Sequence, residues 1–259
     1  MNYGLYLSAG GALVNVYRQD VLANNMANVN TVGFKPDIVN EMSRLPERLE
    51  DPNPFVNPHM LLERLGGGHW AAPTRISQAQ GNITPTSGPL DVAIVGDGFL
   101  VVNAERGKGD AQLRFTRDGR LTLNDDGELV MAANGHRLLD DDNEPVQLDP
   151  TQPVIIDSDG SVRQGDEVVA NLQIATVANP SKLVKAGDNL FRFDGLGPNA
   201  RKPADGTLQQ GALEGSAVDP ILALNDLLNV SKAIQANVQL MQYHDHILGQ
   251  AINTFGRVA

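Results

Sequence analysis

His244 and His246, near the C-terminal end of the chain, are the first residues to test for metal chemistry. Two positions apart on a helix, they point in different directions and do not converge on one ion. The acidic run Asp140-Asp141-Asp142-Asn143-Glu144 begins like a calcium loop. Pro145, however, stands where such a loop needs glycine, and Thr151 where it needs glutamate. It reads as a solvated acidic loop. Gly96-Asp97-Gly98 is followed by an apolar strand rather than a helix, so it offers no helix N-terminus to a dinucleotide phosphate and is expected to be a hairpin turn. His59, His69 and His136 have no acidic partner at useful spacing, and no nucleophile elbow, zinc-protease or phosphate-loop motif occurs. The chain has no cysteine, which removes thiol nucleophiles, disulfides and cysteine metal sites. The sequence assigns no catalytic, cofactor-binding or metal-binding residue, and the chain is not expected to be an enzyme.

The 259 residues suffice for one large or two modest domains with a real core. Aromatics make up 5%, so that core is aliphatic. With 20 Lys and Arg against 31 Asp and Glu, the formal charge is −11, which argues against a nucleic-acid or anionic-membrane surface. No run of about 18 apolar residues is present, so no membrane span is expected. The N-terminus has no basic segment ahead of an apolar core, so no cleaved secretory leader is expected.

The elements that organise the chain lie at its two ends. From Pro220 to Ala259, Leu227, Val230, Ile234, Met241, Leu248, Ala251 and Phe255 step by threes and fours, with Asn237 and His244 in the two gaps. That is the seam of a helix built to pack on another helix. Asp219 is a good N-cap and Pro220 a good first helical residue. The remaining surface carries Asn225, Asn229, Gln235, Gln239, Gln242, Gln250 and Asn253 but few charges, which suits contact with further protein; the alternative is an ordinary amphipathic helix docked on its own domain. At the other end Leu5, Ala9, Ala12, Val16, Ala23 and Met26 form a second such seam, with Gln19 in its gap. This helix is expected to end among Asn24, Asn25, Asn28 and Asn30, with Gly33 as breaker. Only six charged residues, Arg18, Asp20, Asp226, Lys232, Asp245 and Arg257, lie outside residues 35–219.

Between the ends, Pro46, Pro52, Pro54, Pro58, Pro73 and Gly66-Gly67-Gly68 are expected to break any regular element across residues 36–75, apart from a helical turn over Leu61–Leu65. This stretch reads as a linker or arm, with Trp70 packed on the domain or on a neighbour. From Ile76 onward short apolar runs alternate with Asp118-Gly119, Asp126-Gly127, Asn134-Gly135 and Asp159-Gly160, the strongest hairpin signals a sequence offers. An antiparallel all-β domain over residues 76–215 follows.

Ala23-Asn24-Asn25-Met26-Ala27-Asn28-Val29-Asn30-Thr31-Val32-Gly33-Phe34-Lys35 resembles the "ANNxANxxTxGFK" signature of the bacterial flagellar rod and hook protein family. Leu90-Asp91-Val92-Ala93-Ile94-Val95-Gly96-Asp97-Gly98-Phe99 is similar to that family's "LDVAIxGxGFF" motif. Leu213-Glu214-Gly215-Ser216-Ala217-Val218 resembles its "LExSNV" run, with Ala217 where asparagine is usual. The resemblance covers nearly the whole chain and is nearest the proximal rod members, with distal rod and hook-type members as the alternative.

It implies an α+β, multi-domain chain. Residues 1–35 and 216–259 would pair as a coiled-coil-like axial domain around the central β domain. It further implies a structural subunit of the periplasmic rod that transmits torque from motor to hook. Expected partners are other rod and hook-basal-body subunits, further copies of the chain, and the flagellar type III export apparatus. No cofactor is implied. The expected assembly residues are Leu5, Ala9, Ala12, Val16, Asn24, Asn25, Asn28, Gly33, Phe34, Leu227, Val230, Ile234, Met241, Leu248 and Phe255. A reading from a different class is a periplasmic β-domain hydrolase with a helical oligomerisation stalk, which needs a convergent pair of acids or a metal cluster.

Overall fold

The computed structural model describes residues 3–45, 66–104, 113–177, 182–193 and 201–255. The chain is α+β and divides into two compact units. One holds residues 1–27, 37–75 and 219–259; the other holds 28–36 and 76–218.

The helical unit contains α1 (Tyr3–Ala27), β1 (Asp37–Ser43), β2 (His69–Ile76) and α2 (Pro220–Phe255). Helix α2 starts where its cap predicts: Asp219 Oδ1 accepts the Ile221 and Leu222 amides at 2.9 and 3.1 Å. Asp219→Ala is expected to lower helical stability by about 1 kcal/mol, read as a loss of helical circular dichroism confined to this unit's transition. The α2 seam is the inward face. Val230 is buried, and Leu227, Ile234, Asn237, Met241, His244, Leu248 and Ala251 are half-buried, while the amide residues of the remaining surface are exposed. The side chain of Phe255 lies outside the described residues, as does the Leu61–Leu65 turn.

The N-terminal seam differs from expectation. Leu5, Ala9, Ala12 and Met26 are half-buried, but Val16 and Ala23 are exposed. The contact with α2 instead runs through Gly4 and Gly11, where an added Cβ would stand 2.6 Å from His244 Nε2 and 3.3 Å from Asn237 Nδ2. Both pairs repeat every seven residues in opposite chain directions, so the helices are antiparallel. The polar residues in the α2 seam are accommodated because α1 presents no side chain opposite them. A search for apolar periodicity passes over such positions.

The expectation that prolines and glycines break every element between 36 and 75 is overturned at both ends of that stretch. Strands β1 and β2 pair as a two-stranded sheet, closed by Arg44 N donating to Gly68 O at 2.8 Å and Gly67 N to Arg44 O at 3.2 Å. Pro73 is tolerated because a two-stranded ribbon leaves one edge of each strand free of ladder bonds, and its carbonyl accepts from Asn40 Nδ2. Trp70 is not packed on its own domain: it is 52% exposed, beneath the Arg44 guanidinium.

The β unit runs β3 (Ile83–Pro85), β4 (Val92–Val95), β5 (Phe99–Asn103), β6 (Leu113–Thr116), β7 (Leu121–Leu123), β8 (Leu129–Met131), β9 (Arg137–Leu138), β10 (Val154–Ile156), β11 (Ser161–Gln164), β12 (Glu167–Asn171), β13 (Ile174–Val177), β14 (Leu183–Gly187), β15 (Leu190–Phe193), β16 (Arg201–Pro203), β17 (Thr207–Gln210) and β18 (Ala212–Glu214). Its pairings among the described residues are antiparallel. Strand β5 is the axis: β6 lies along one edge, and β13 and β9 share the other. Because side chains alternate along a strand, Leu100 and Val102 enter one core with Ile94, Leu129 and Leu138. Phe99 and Val101 enter a second core with Phe115 and Phe191.

Asp126-Gly127, Asn134-Gly135 and Asp159-Gly160 make the β7–β8, β8–β9 and β10–β11 hairpins, each glycine at positive φ. Gly96-Asp97-Gly98 does not make a hairpin. β4 pairs with β17 while β5 belongs to another sheet, so this turn carries the chain between sheets. Gly98 is required there because a Cβ would stand 2.7 Å from Ala204 and Ile174. Asp118-Gly119 likewise joins strands that do not pair, with the Gly119 carbonyl accepting from Val92 N.

Candidate functional site

The residues that single this chain out are those leaving α1, so the site is built from Asn24 forward. Asn24 is exposed. Asn25 is buried at the end of α1, where its amide clamps the start of β1 in both directions. Nδ2 donates to Asp37 O at 2.8 Å, and Asp37 N donates to Asn25 Oδ1 at 3.0 Å. No other side chain of that size offers a donor and an acceptor in the geometry of a peptide group.

In the β unit, Asn28 opens the turn that follows the helix. Its side-chain and main-chain oxygens accept from Thr31 Oγ1 and Thr31 N, both at 3.1 Å. Gly33 then takes φ 67°, donates to Glu214 O at 2.7 Å, and lies so close to Arg117 that a Cβ would stand 2.4 Å from that residue's carbonyl. Phe34 is buried with the Lys185 ammonium 4.1 Å from its ring centroid, and its carbonyl accepts from Ala217 N at 3.0 Å. Asn189 Nδ2 donates to Val32 O. The stretch entering the β unit is thus laced to the stretch leaving it.

Lys35 and Glu214 finish that lacing. Both side chains are 1% exposed, and Lys35 Nζ stands 2.7 Å from Glu214 Oε1. Arg117 Nη1 donates to Glu214 Oε2 at 2.9 Å, and Gly81 N to Glu214 Oε1 at 2.8 Å. The cations have further acceptors: Lys35 Nζ donates to Ala79 O at 2.7 Å and Arg117 Nη2 to Gly96 O at 2.8 Å. Burial lowers the Lys35 pKa from its ordinary value, and the hydrogen bond and charge of Glu214 partly restore it. One carboxylate thus binds two cations out of water, an arrangement that stands only while all three are present.

Sequence reasoning singled out Gly33 and Phe34 but not Glu214 or Arg117 as their counterparts. A lone glutamate among apolar strand residues, Ala212, Leu213 and Glu214, was the available signal. The other candidate chemistry stays dispersed. The acidic loop closes on itself, with Asp140 Oδ1 accepting from Asp142 N and Glu144 N. Among the described residues no three His, Asp or Glu side chains are placed to share a metal ion. No helix among them is long and apolar enough to cross a membrane.

The helical unit carries a second feature, an apolar groove of about 510 Å³ between α1 and the closed end of the β1–β2 ribbon. Tyr6, Gly10, Leu13 and Tyr17 form its α1 wall and Trp70 stands opposite.

Comparison with known proteins covers these same stretches. A family profile described as "Flagella basal body rod protein" matches residues 5–35. A second, "Flagellar hook protein FlgE/F/G D1 domain", matches residues 93–164. A third, "Flagellar basal body rod FlgEFG protein C-terminal", matches residues 209–254. The chain is 30% identical over 265 residues to the flagellar basal-body rod protein FlgF of Caulobacter vibrioides, covering 100% of each chain. It is 30% identical over 263 residues to FlgF of Mesorhizobium japonicum, covering 99% of each. It is 29% identical over 262 residues to the rod protein FlgG of Agrobacterium fabrum, covering 94% and 95%.

Proposed function

The chain belongs to the flagellar basal-body rod protein family and is a structural rod subunit, and we propose that it enters the rod through its two terminal helices. The observation that supports this reading is the end-to-end match to a rod protein, together with the family profiles that cover residues of both helices. Its partners are rod and hook subunits. The seven-residue repeat of the α1–α2 contact acts as a coiled-coil-like axial element, and neighbouring copies pack against the exposed surface of α2. Such contacts are heterologous and do not close, so they generate a helical tube. The chain reaches its place through the flagellar type III export apparatus to join the periplasmic rod.

The assembly residues named from the sequence take two parts in this reading. Ile234, Met241 and Leu248 hold the helical pair together, while Asn25, Asn28, Gly33 and Phe34 fix where the chain passes from helix to β unit. Ile234→Asp or Leu248→Asp is expected to abolish incorporation into basal bodies and motility while leaving the β unit folded. The measurement is immunoblotting of purified basal bodies, with the β-sheet circular dichroism of the purified variant as control. A motile strain with normal rods carrying either change would sink the proposal.

A further inference from the structure

The helical unit holds a hollow and a ridge of matching character. The hollow is the groove walled by Tyr6, Gly10, Leu13, Tyr17 and Trp70. The ridge is on α2: Leu240, Tyr243 and Ile247 are 48%, 66% and 59% exposed and recur at i, i+3 and i+7. That is the spacing with which an amphipathic helix fills an apolar groove.

One chain cannot mate its own pair. At roughly 100° per residue, the groove-facing positions of α1 lie about 140° from Gly4 and Gly11, which meet α2. The ridge lies about 100° from the α2 seam by the same count. Hollow and ridge therefore point away from each other within one helical pair. An acceptor and a donor on different faces of one unit make a head-to-tail contact.

The hollow and ridge belong to one chain, so the occupant is a second copy, and charge permits it; among the described residues Arg44 is the groove's one charged lining residue. A chain of net charge −11 meets its own copies against repulsion. The residues outside 35–219 escape this, because Arg18, Lys232 and Arg257 cancel Asp20, Asp226 and Asp245. The ridge lies within that neutral part, and the groove draws its α1 wall from it. We propose that the groove receives the Leu240–Tyr243–Ile247 ridge of a second copy of this chain. This rests on the rod reading and names one of its contacts.

Trp70 is the only tryptophan in the chain and stands in the groove, and the chain has no cysteine, so both ends of the contact can be reported without interference. In the full-length protein, Trp70 emission is expected to shift to the blue as concentration rises, and Ile247→Asp is expected to remove the shift. Separately prepared Leu13→Cys and Ile247→Cys chains, mixed and oxidised, are expected to form a mixed disulfide dimer in preference to either self-dimer. Emission independent of concentration, a shift that survives Ile247→Asp, or no preference for the mixed dimer each overturns the proposal. If the Ile247→Asp chain still enters basal bodies, the groove contact falls and the rod reading stands. If Ile234→Asp also enters, the rod reading falls with it.

Discussion

Glu214→Ala lowers the stability of the β unit by about 3–5 kcal/mol, the loss expected when one partner of a buried ion pair is removed. The reason is charge, not volume. The carboxylate takes Lys35 Nζ at 2.7 Å and Arg117 Nη1 at 2.9 Å in a site from which water is excluded. Without it two cations remain, each keeping only a neutral carbonyl acceptor, Ala79 for the lysine and Gly96 for the arginine. Urea unfolding followed by β-sheet circular dichroism measures the effect. With a slope of about 1–3 kcal/mol per molar urea, the midpoint should fall by at least about 1 M. The triple replacement Lys35→Met, Arg117→Met, Glu214→Leu separates charge from packing and is expected to recover most of the loss. A triple variant as unstable as Glu214→Ala would mean that the site holds the fold by shape instead.

Gly33→Ala is the second large effect, at roughly 2–5 kcal/mol, summing a left-handed backbone cost with an overpacking cost. The φ of 67° alone disfavours any residue with a Cβ. Here the Cβ would also stand 2.4 Å from the Arg117 carbonyl, a backbone group that cannot rotate away. Gly33→Asn tells the two causes apart, since asparagine adopts positive φ more readily than alanine but has the same Cβ. Asparagine as damaging as alanine assigns the effect to the close approach. Asparagine near wild type assigns it to the backbone angle.

What the sequence revealed and what it hid follow from one physical distinction. Periodic apolar residues and turn chemistry are local, and these were legible. The α2 seam from Leu227 to Ala251 faces inward, Asp219 caps the helix, and Asp126-Gly127, Asn134-Gly135 and Asp159-Gly160 make their hairpins. The same Gly-Asp-Gly chemistry misled at 96–98, because a turn signal fixes local backbone and not which strands then pair. Gly4 and Gly11 escaped notice because a contact made by the absence of a side chain leaves no hydrophobic signal. The exposed ridge on α2 was masked by the amides interspersed with it. The pairing within the ion cluster was hidden for a different reason: the lone Glu214 was a local signal, but Lys35 lies 179 residues away and no local pattern reports so distant a partner.

That separation also governs when the β unit can come into being during synthesis. Its first residues leave the ribosome with residues 28–36, but the strand that receives them, Ala212–Glu214, is the last of its strands to be made. At about 5–20 residues per second, the interval between translating Lys35 and Glu214 is roughly ten to forty seconds. Throughout it Lys35 has no counter-ion, Gly33 has no carbonyl to bond, and β3 and β4 lack β18 and β17. A nascent chain therefore remains without its closing strand until Glu214 has been made.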